Sequence, residues 1–225
     1  FVYTEAMQDY DIIIIGAGAA GLMCAGEANR RRRRVLVLDR AIAPGRKIRI
    51  SGGGRANFTN LHAQPATFLS DNPRFCVSAL KRYTQHDFIA LVEKHGISYH
   101  EREHGQLFCD DSAQQITDML LEEAAGVRVE TETNVTRVSK TENGFTIETD
   151  SGAFSTTSLV IATGGPSIPK MGSSRFAYDV ARQFGLNVIE PRPGLVPLTF
   201  EADFLGDLDG LAGVSLDATV TLGKT

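Results

Sequence analysis

Gly16, Gly18 and Gly21 stand at G-x-G-x-x-G spacing in Gly16-Ala17-Gly18-Ala19-Ala20-Gly21, and Asp39 follows later in the chain. These residue types at this spacing suit a dinucleotide. Gly16 allows a tight turn, Gly18 lets a diphosphate approach the backbone, and Gly21 lets a helix pack closely on a strand. With Ala17, Ala19 and Ala20 they form the expected diphosphate-binding turn. Asp39 lies about twenty residues on, where an acid can accept the ribose hydroxyls. Arg40 adjoins it and belongs to the same candidate site.

A second group occupies APGRKIRISGGGRANFTN, from Ala43 to Asn60. Arg46, Lys47, Arg49 and Arg55 alternate with Gly45 and the triple glycine Gly52, Gly53 and Gly54; Asn57 follows. Glycines bring backbone N–H groups inward and the basic side chains supply charge. Such a loop is suited to lie against a bound anion or a polar ring edge. A third group, Thr163-Gly164-Gly165, ends the apolar run Leu159 to Ala162 and would let the backbone approach the nucleotide again.

Other reactive residue types form no convincing constellation. His100-Glu101-Arg102-Glu103-His104 spells H-x-x-E-H, a zinc-peptidase pattern that needs both histidines on one helical face. Gly96 and Gly105 bracket it, and Ile97 and Tyr99 alternate as in a strand, so an exposed polar turn is expected and no metal. His62, His86 and His95 are scattered. Ser51 lacks the G-x-S-x-G frame of a nucleophile elbow. Cys24, Cys76 and Cys109 are odd in number and widely spaced, which suits a reducing cytoplasm rather than a disulfide framework.

The elements that must position these groups follow from periodicity. Ile12 to Ile15 form a continuous apolar run, expected to be a strand covered on both faces. A helix follows through Leu22, Met23, Ala25 and Ala28, then a second strand from Val35 to Leu38. Two helices are expected between Asn72 and His95, capped near Thr84 or Asp87 and stopped by Gly96. Ile97 to Phe108 reads as extended. Ser112 to Ala125 reads as an amphipathic helix, and Val127 to Val138 as one strand. Phe145–Glu148 and Ala153–Thr156 read as a hairpin pair around Asp150-Ser151-Gly152. Leu159 to Ala162 reads as a separate strand returning to the main sheet. Phe176 to Phe184 reads as a helix stopped by Gly185. Pro191, Pro193 and Pro197 mark a crossing into something new, where Leu211 to Leu222 alternates like a strand.

The chain has 225 residues and a net charge of −4, too mild to imply nucleic acid as the main partner. A chain of this length can bury roughly 70% of its unfolded surface. Arg30 to Arg34 form a basic run at a helix end, where cations favour the dipole. No apolar run has bilayer-spanning length, so no membrane is expected. No signal peptide is expected either. Asn57-Phe58-Thr59 and Asn134-Val135-Thr136 match the glycosylation sequon by chance. Residues 1–6 read as a tail before Met7.

Three motifs together, IIIIGAGAAGLMCA, GRKIRISGGGRANFTN and LVIATGGPSIPKMGSS, resemble a family of bacterial flavoproteins. These are the aminoacetone-oxidase-like or bile-acid-inducible-N-like NAD(P)/FAD-dependent oxidoreductases. The likeness runs from Met7 to about Phe200. It implies an α/β fold with a three-layer, Rossmann-like FAD-binding domain over 7–194, and an inserted, mostly β domain beginning at 195 and cut short by 225. It implies FAD as cofactor: Gly16, Gly18 and Gly21 on the pyrophosphate, Asp39 on the adenosine ribose and Val135 by the adenine. Lys47 and Gly52 to Asn57 would lie along the flavin, and Thr163 to Gly165 would pass the cofactor again.

The chain departs from that family at three places. Ala56 stands where a Cys is usual, Ser158 where an acid is frequent, and the glycine-rich return segment is missing, so a truncated fragment is expected. In a flavoenzyme the cofactor performs the electron transfer while the protein positions it. The expectation is an FAD-dependent oxidoreductase of the cytoplasm, passing a hydride or electrons between NAD(P)H or a small organic donor and an acceptor. Lys47 or Arg55 would stabilise charge on the reduced ring. The alternatives are an NAD-dependent dehydrogenase and a dinucleotide-binding module without catalysis.

Overall fold

Ile12 to Ile15 form the second half of β1 (Gln8–Ile15), the strand on which the fold is built. The structure is a computed structural model that describes residues 8–167, 174–193, 217–219 and 221. Ile13 and Ile14 have no exposed surface, and each contributes about 1.5–3 kcal/mol through burial. The chain leaves β1 through the glycine turn into α1 (Ala19–Arg30) and returns as β2 (Val35–Leu38), all four residues of which are buried. β1 and β2 pair in parallel, Ile12 opposite Val35 and Ile15 opposite Leu38.

The glycine-rich second motif is more structured than a loop. It holds a short helix α2 (Arg46–Ile50), a 3-10 turn at Ser51–Gly53 and strand β3 (Asn57–Asn60). Helices α3 (Val77–Arg82) and α4 (Gln85–Lys94) follow. Thr84 caps α4 in a reciprocal box: its hydroxyl accepts the Asp87 N–H while the Asp87 carboxylate accepts the Thr84 N–H at 2.7 Å. The extended stretch after Gly96 is a hairpin, β4 (Tyr99–Arg102) and β5 (Gln106–Cys109), turned at Glu103–Gly105. With β3 it makes a small antiparallel sheet in the order β3-β5-β4.

Helix α5 (Gln114–Glu123) leads to β6 (Arg128–Glu130), and then to β7 (Val135–Thr141). The single strand expected from Val127 to Val138 is therefore two. β6 pairs in parallel with β2, whereas β7 pairs antiparallel with β8 (Gly144–Thr149). The break falls where the chain changes partner, and Glu132 there takes a positive φ of 52°. A second correction concerns β9 (Gly152–Ile161), one strand of 10 residues where two were expected. Its Gly152–Thr156 part pairs with β8, while its pairing with β1 runs from Phe154 to Ile161. The main sheet therefore has the order β6-β2-β1-β9-β8-β7, parallel through β9 and antiparallel beyond it.

Alternation along β1 divides the core in two. Ile14 packs with Val35, Val37, Leu22 and Ala25, and with Ile116, Met119 and Leu120 of α5. Ile13 and Ile15 pack on the other face with Leu36, Leu38, Ile147, Phe154 and Val180 of α6 (Phe176–Gln183). Helix, sheet and helix make the three-layer Rossmann-like arrangement. The polypeptide falls into two units, Phe1–Asn187 and Val188–Thr225. Every element above lies in the first, and the second has no helix or strand among its described residues. The expected tail at residues 1–6 lies outside the described residues. So does nearly all of the expected β-rich segment from 195, including the strand drawn from Leu211 to Leu222.

Candidate dinucleotide site

The three glycines of the first turn do different things. Gly16 donates its N–H to Leu38 O at 2.8 Å, and a Cβ there would lie 2.4 Å from Ala162 O. A Cβ on Gly21 would lie 1.8 Å from Gly16 O, but one on Gly18 would meet nothing within 4 Å. The outer glycines permit tight packing, and the middle one faces open space. Ala17 is buried, while Ala19 and Ala20 are exposed at the start of α1. That helix begins at Gly18 without a side-chain cap and without an acid in its first turn. Unlike α4, it leaves N–H groups and its positive dipole end for an anion.

Asp39, expected to hold a ribose, also ties the framework together. Its Oδ2 accepts the Ala17 N–H at 2.6 Å and its Oδ1 accepts the Ala41 N–H at 2.8 Å. Each carboxylate oxygen retains a second lone pair, so sugar hydroxyls still find acceptors. Arg40 beside it is exposed. The link between β6 and β7 closes over this corner: Thr133 N–H donates to Asp39 O and Glu132 N–H to Ala41 O, both at 3.0 Å. Val135, at the start of β7 and half-buried, follows directly.

Helix α2 docks on the first turn through Gly45, whose N–H donates to Ala17 O at 2.8 Å. Arg46 is exposed. Lys47 reaches across to the end of β9, where its Nζ donates to Gly165 O and to Ser167 Oγ, each at 3.1 Å. Gly164 lies beneath it. Among the described residues the buried Oγ1 of Thr163 and Nε of Arg49 have no hydrogen-bond partner, and neither has Thr117 Oγ1 under Gly45. Leaving such a group unpaired costs about 1–3 kcal/mol, a cost a polar ligand offsets. The open space over Gly18, the uncapped α1 and the orphaned Thr163 and Arg49 atoms fit a dinucleotide. Arg49 was read as one cation of the loop suited to a bound anion, without a cofactor contact of its own.

The triple glycine belongs to a different wall. Gly52, Gly53 and Gly54 all take positive φ, and a Cβ on Gly52 would come within 2.6 Å of the Phe108 ring. Gly54 O accepts the Ala113 N–H at 2.7 Å, and Arg55 O the Cys109 N–H at 2.8 Å. The exposed Arg55 guanidinium donates to Asp110 O. Asn57 is exposed at the start of β3. Among the described residues the first turn, Asp39, α2 and Thr163–Gly165 are hydrogen-bonded together. Gly52–Asn57 is bonded to β5 and α5 instead, and continues from α2 along the chain.

Burial pushes the Cys109 thiol up to about 11, and burial also raises that of Cys24. Neither presents a thiolate at neutral pH. Ala56, in the position where a cysteine was expected from the resemblance, is buried.

The model of the HI0933-like protein Rossmann domain matches residues 10–223. The chain belongs to the HI0933-like family. Over 217 residues it is 52% identical to a ribosomal RNA dihydrouridine synthase of Escherichia coli, covering 96% of this chain and 54% of that protein. It is 27% identical over 212 residues to a 3-dehydro-bile acid delta(4,6)-reductase of Clostridium scindens, covering 92% of this chain and 51% of that protein. The chain spans about half the length of the curated relatives it matches. Among solved structures it is similar to a 3-ketosteroid-delta4-(5alpha)-dehydrogenase of Rhodococcus jostii. The TM-score is 0.52 at 17% identity, over 73% of this chain and 47% of that one. At that identity the likeness speaks for the fold alone. In this HI0933-like chain the match takes in all three motifs read from the sequence. No helix among the described residues is long and apolar enough to cross a membrane.

Proposed function

We propose that this chain binds FAD and serves the reduction of uridine in ribosomal RNA to dihydrouridine. The observation that carries the reading is the 52% identity, along 96% of the chain, to a protein named ribosomal RNA dihydrouridine synthase. The site's geometry supports the cofactor half. The free N–H groups of α1 hold the diphosphate, and Asp39 keeps lone pairs for the adenosine ribose. Val135 lies beside the adenine. Lys47 and Gly52–Asn57 border the flavin, with Thr163–Gly165 passing it on the other side.

Reducing a uracil ring adds a hydride and a proton across one C=C bond; reduced FAD, held by these residues, would supply the hydride and solvent water the proton. NAD(P)H is the proposed source of electrons, and the cytoplasm the proposed place. Lys47, fixed by Gly165 O and Ser167 Oγ, keeps positive charge at the flavin border, where it favours the reduced ring. The reading replaces two expectations, a small organic substrate drawn from the flavoprotein resemblance and no nucleic-acid partner drawn from a net charge of −4. Recognition of one RNA site rests on local contacts, and a chain need not be basic overall to make them.

The test is genetic and chemical. Deleting the gene is expected to remove dihydrouridine from ribosomal RNA, measured by mass spectrometry of nucleosides, and the full-length gene product with FAD and NAD(P)H is expected to restore it. Ribosomal RNA with unchanged dihydrouridine after deletion would rule the reading out.

A further inference from the structure

We propose that Arg102 is a phosphate anchor for the RNA substrate, held over Phe108 by the His100–Asp110 pair. The inference rests on the functional reading above and assigns a role to the H-x-x-E-H stretch that zinc chemistry leaves without one. His100 and Arg102 lie two apart on β4, so they share a face of the small sheet. His100 is the register partner of Phe108 on β5. Its ring stacks on Phe108 at 6.3 Å and 21°, and its Nδ1 lies 2.7 Å from Asp110 Oδ1. Arg102 donates from Nε to His100 Nε2 at 3.2 Å, and its guanidinium carbon sits 4.1 Å over the Phe108 ring.

These contacts fix one tautomer. His100 Nε2 accepts from Arg102, so Nδ1 carries the hydrogen and donates it to Asp110. Arg102 thus has its guanidinium over an aromatic ring and its Nε on a braced imidazole. Both terminal nitrogens of this exposed side chain are left without a hydrogen-bond partner among the described residues. They form a fork that matches two oxygens of one anion. A pre-organised guanidinium loses little freedom on binding, which is what a positioning contact needs. Glu101 falls at the opposite parity of β4 from this fork.

Phe108 places the fork next to the proposed flavin wall. The same ring lies against Gly52, and Arg55 reaches Asp110 O from the same segment. RNA offers a phosphodiester at every nucleotide. A phosphate contact sets strand position while the base turns toward the reactive ring.

The full-length gene product and a fragment of its own ribosomal RNA provide the test. Arg102→Ala is expected to weaken RNA binding about tenfold and to reduce the slope of log affinity against log salt by about 0.7–0.9, the share of one phosphate. Flavin content and kcat at saturating RNA stay at wild-type values. Arg102→Lys restores the slope with lower affinity. His100→Ala lowers affinity a few-fold with the slope intact, because the charge remains and its brace is gone. Arg102→Ala with an unchanged salt slope, or with lost flavin, overturns the inference. A wild-type protein that neither binds ribosomal RNA nor reduces its uridine overturns the functional reading instead.

Discussion

The carboxylate of Asp39 accepts the Ala17 N–H at 2.6 Å, so the acid that ends β2 is bonded to the turn that ends β1. With the Ala41 N–H on its other oxygen, it makes two charge-assisted bonds, each contributing about 1.5–3 kcal/mol. Asp39→Ala is expected to lower stability by about 3 kcal/mol and to weaken FAD binding more than tenfold. Asp39→Asn keeps one acceptor oxygen and falls between. Urea unfolding and flavin titration measure the two effects; an Asp39→Ala protein as stable as wild type would show that the tie holds nothing.

The glycines of the first turn separate binding from folding. A methyl at Gly18 enters open space, whereas one at Gly21 meets Gly16 O at 1.8 Å. Gly18→Ala is expected to leave the melting temperature nearly unchanged while FAD binding drops, because the methyl occupies the approach to the backbone. Gly21→Ala is expected to lose about 3 kcal/mol of stability by overpacking. The idea is lost if Gly18→Ala binds flavin normally.

Lys47 gives an electrochemical readout. Replacing it with Met removes a positive charge from the proposed flavin border and the bonds to Gly165 O and Ser167 Oγ. The flavin potential is expected to become more negative, by about 30 mV for each 1.4 kcal/mol of lost stabilisation of the two-electron-reduced form. An unchanged potential in spectroelectrochemical titration would remove Lys47 from the redox role and leave it a structural clasp.

Acid stability is expected to draw on Glu123. Hydrogen bonds from Lys94 and then His95 hold its carboxyl down to about 2, from an ordinary 4.5. A depressed folded value means that this stabilisation is complete above the unfolded value and is lost as pH falls from about 4.5 toward about 2. Glu123→Gln is expected to destabilise at neutral pH and to flatten the acid limb of a melting-temperature profile. A variant whose acid limb keeps the wild-type slope would exclude Glu123 as its source.

The sequence carried the first βαβ unit clearly because its signals are local. Four isoleucines, three spaced glycines and an acid at the next strand end lie within one short stretch, and α1 and β2 fall where they indicate. The misread elements depend on partners elsewhere. Val127 to Val135 alternates β-branched and polar residues through a change from β2 to β8 as neighbour, and periodicity does not register that change. β9 looks divided because Thr156-Thr157-Ser158 interrupt its apolar pattern, although pairing with β1 runs from Phe154 through to Ile161. His100 and Asp110 face each other only through the hairpin register, which the H-x-x-E-H spelling conceals. Arg49 was visible as a cation, but its orphaned Nε belongs to packing alone.

The long β9 also sets an order of events on the ribosome. β1 is made well over a hundred residues before β9, yet its inner edge waits for Phe154 to Ile161, and Gly16 waits for Ala162 behind it. Until then one edge of the strongly apolar β1 stays unpaired, a template for wrong pairing. A dinucleotide arriving early would find a pocket with no back wall before β9 emerges.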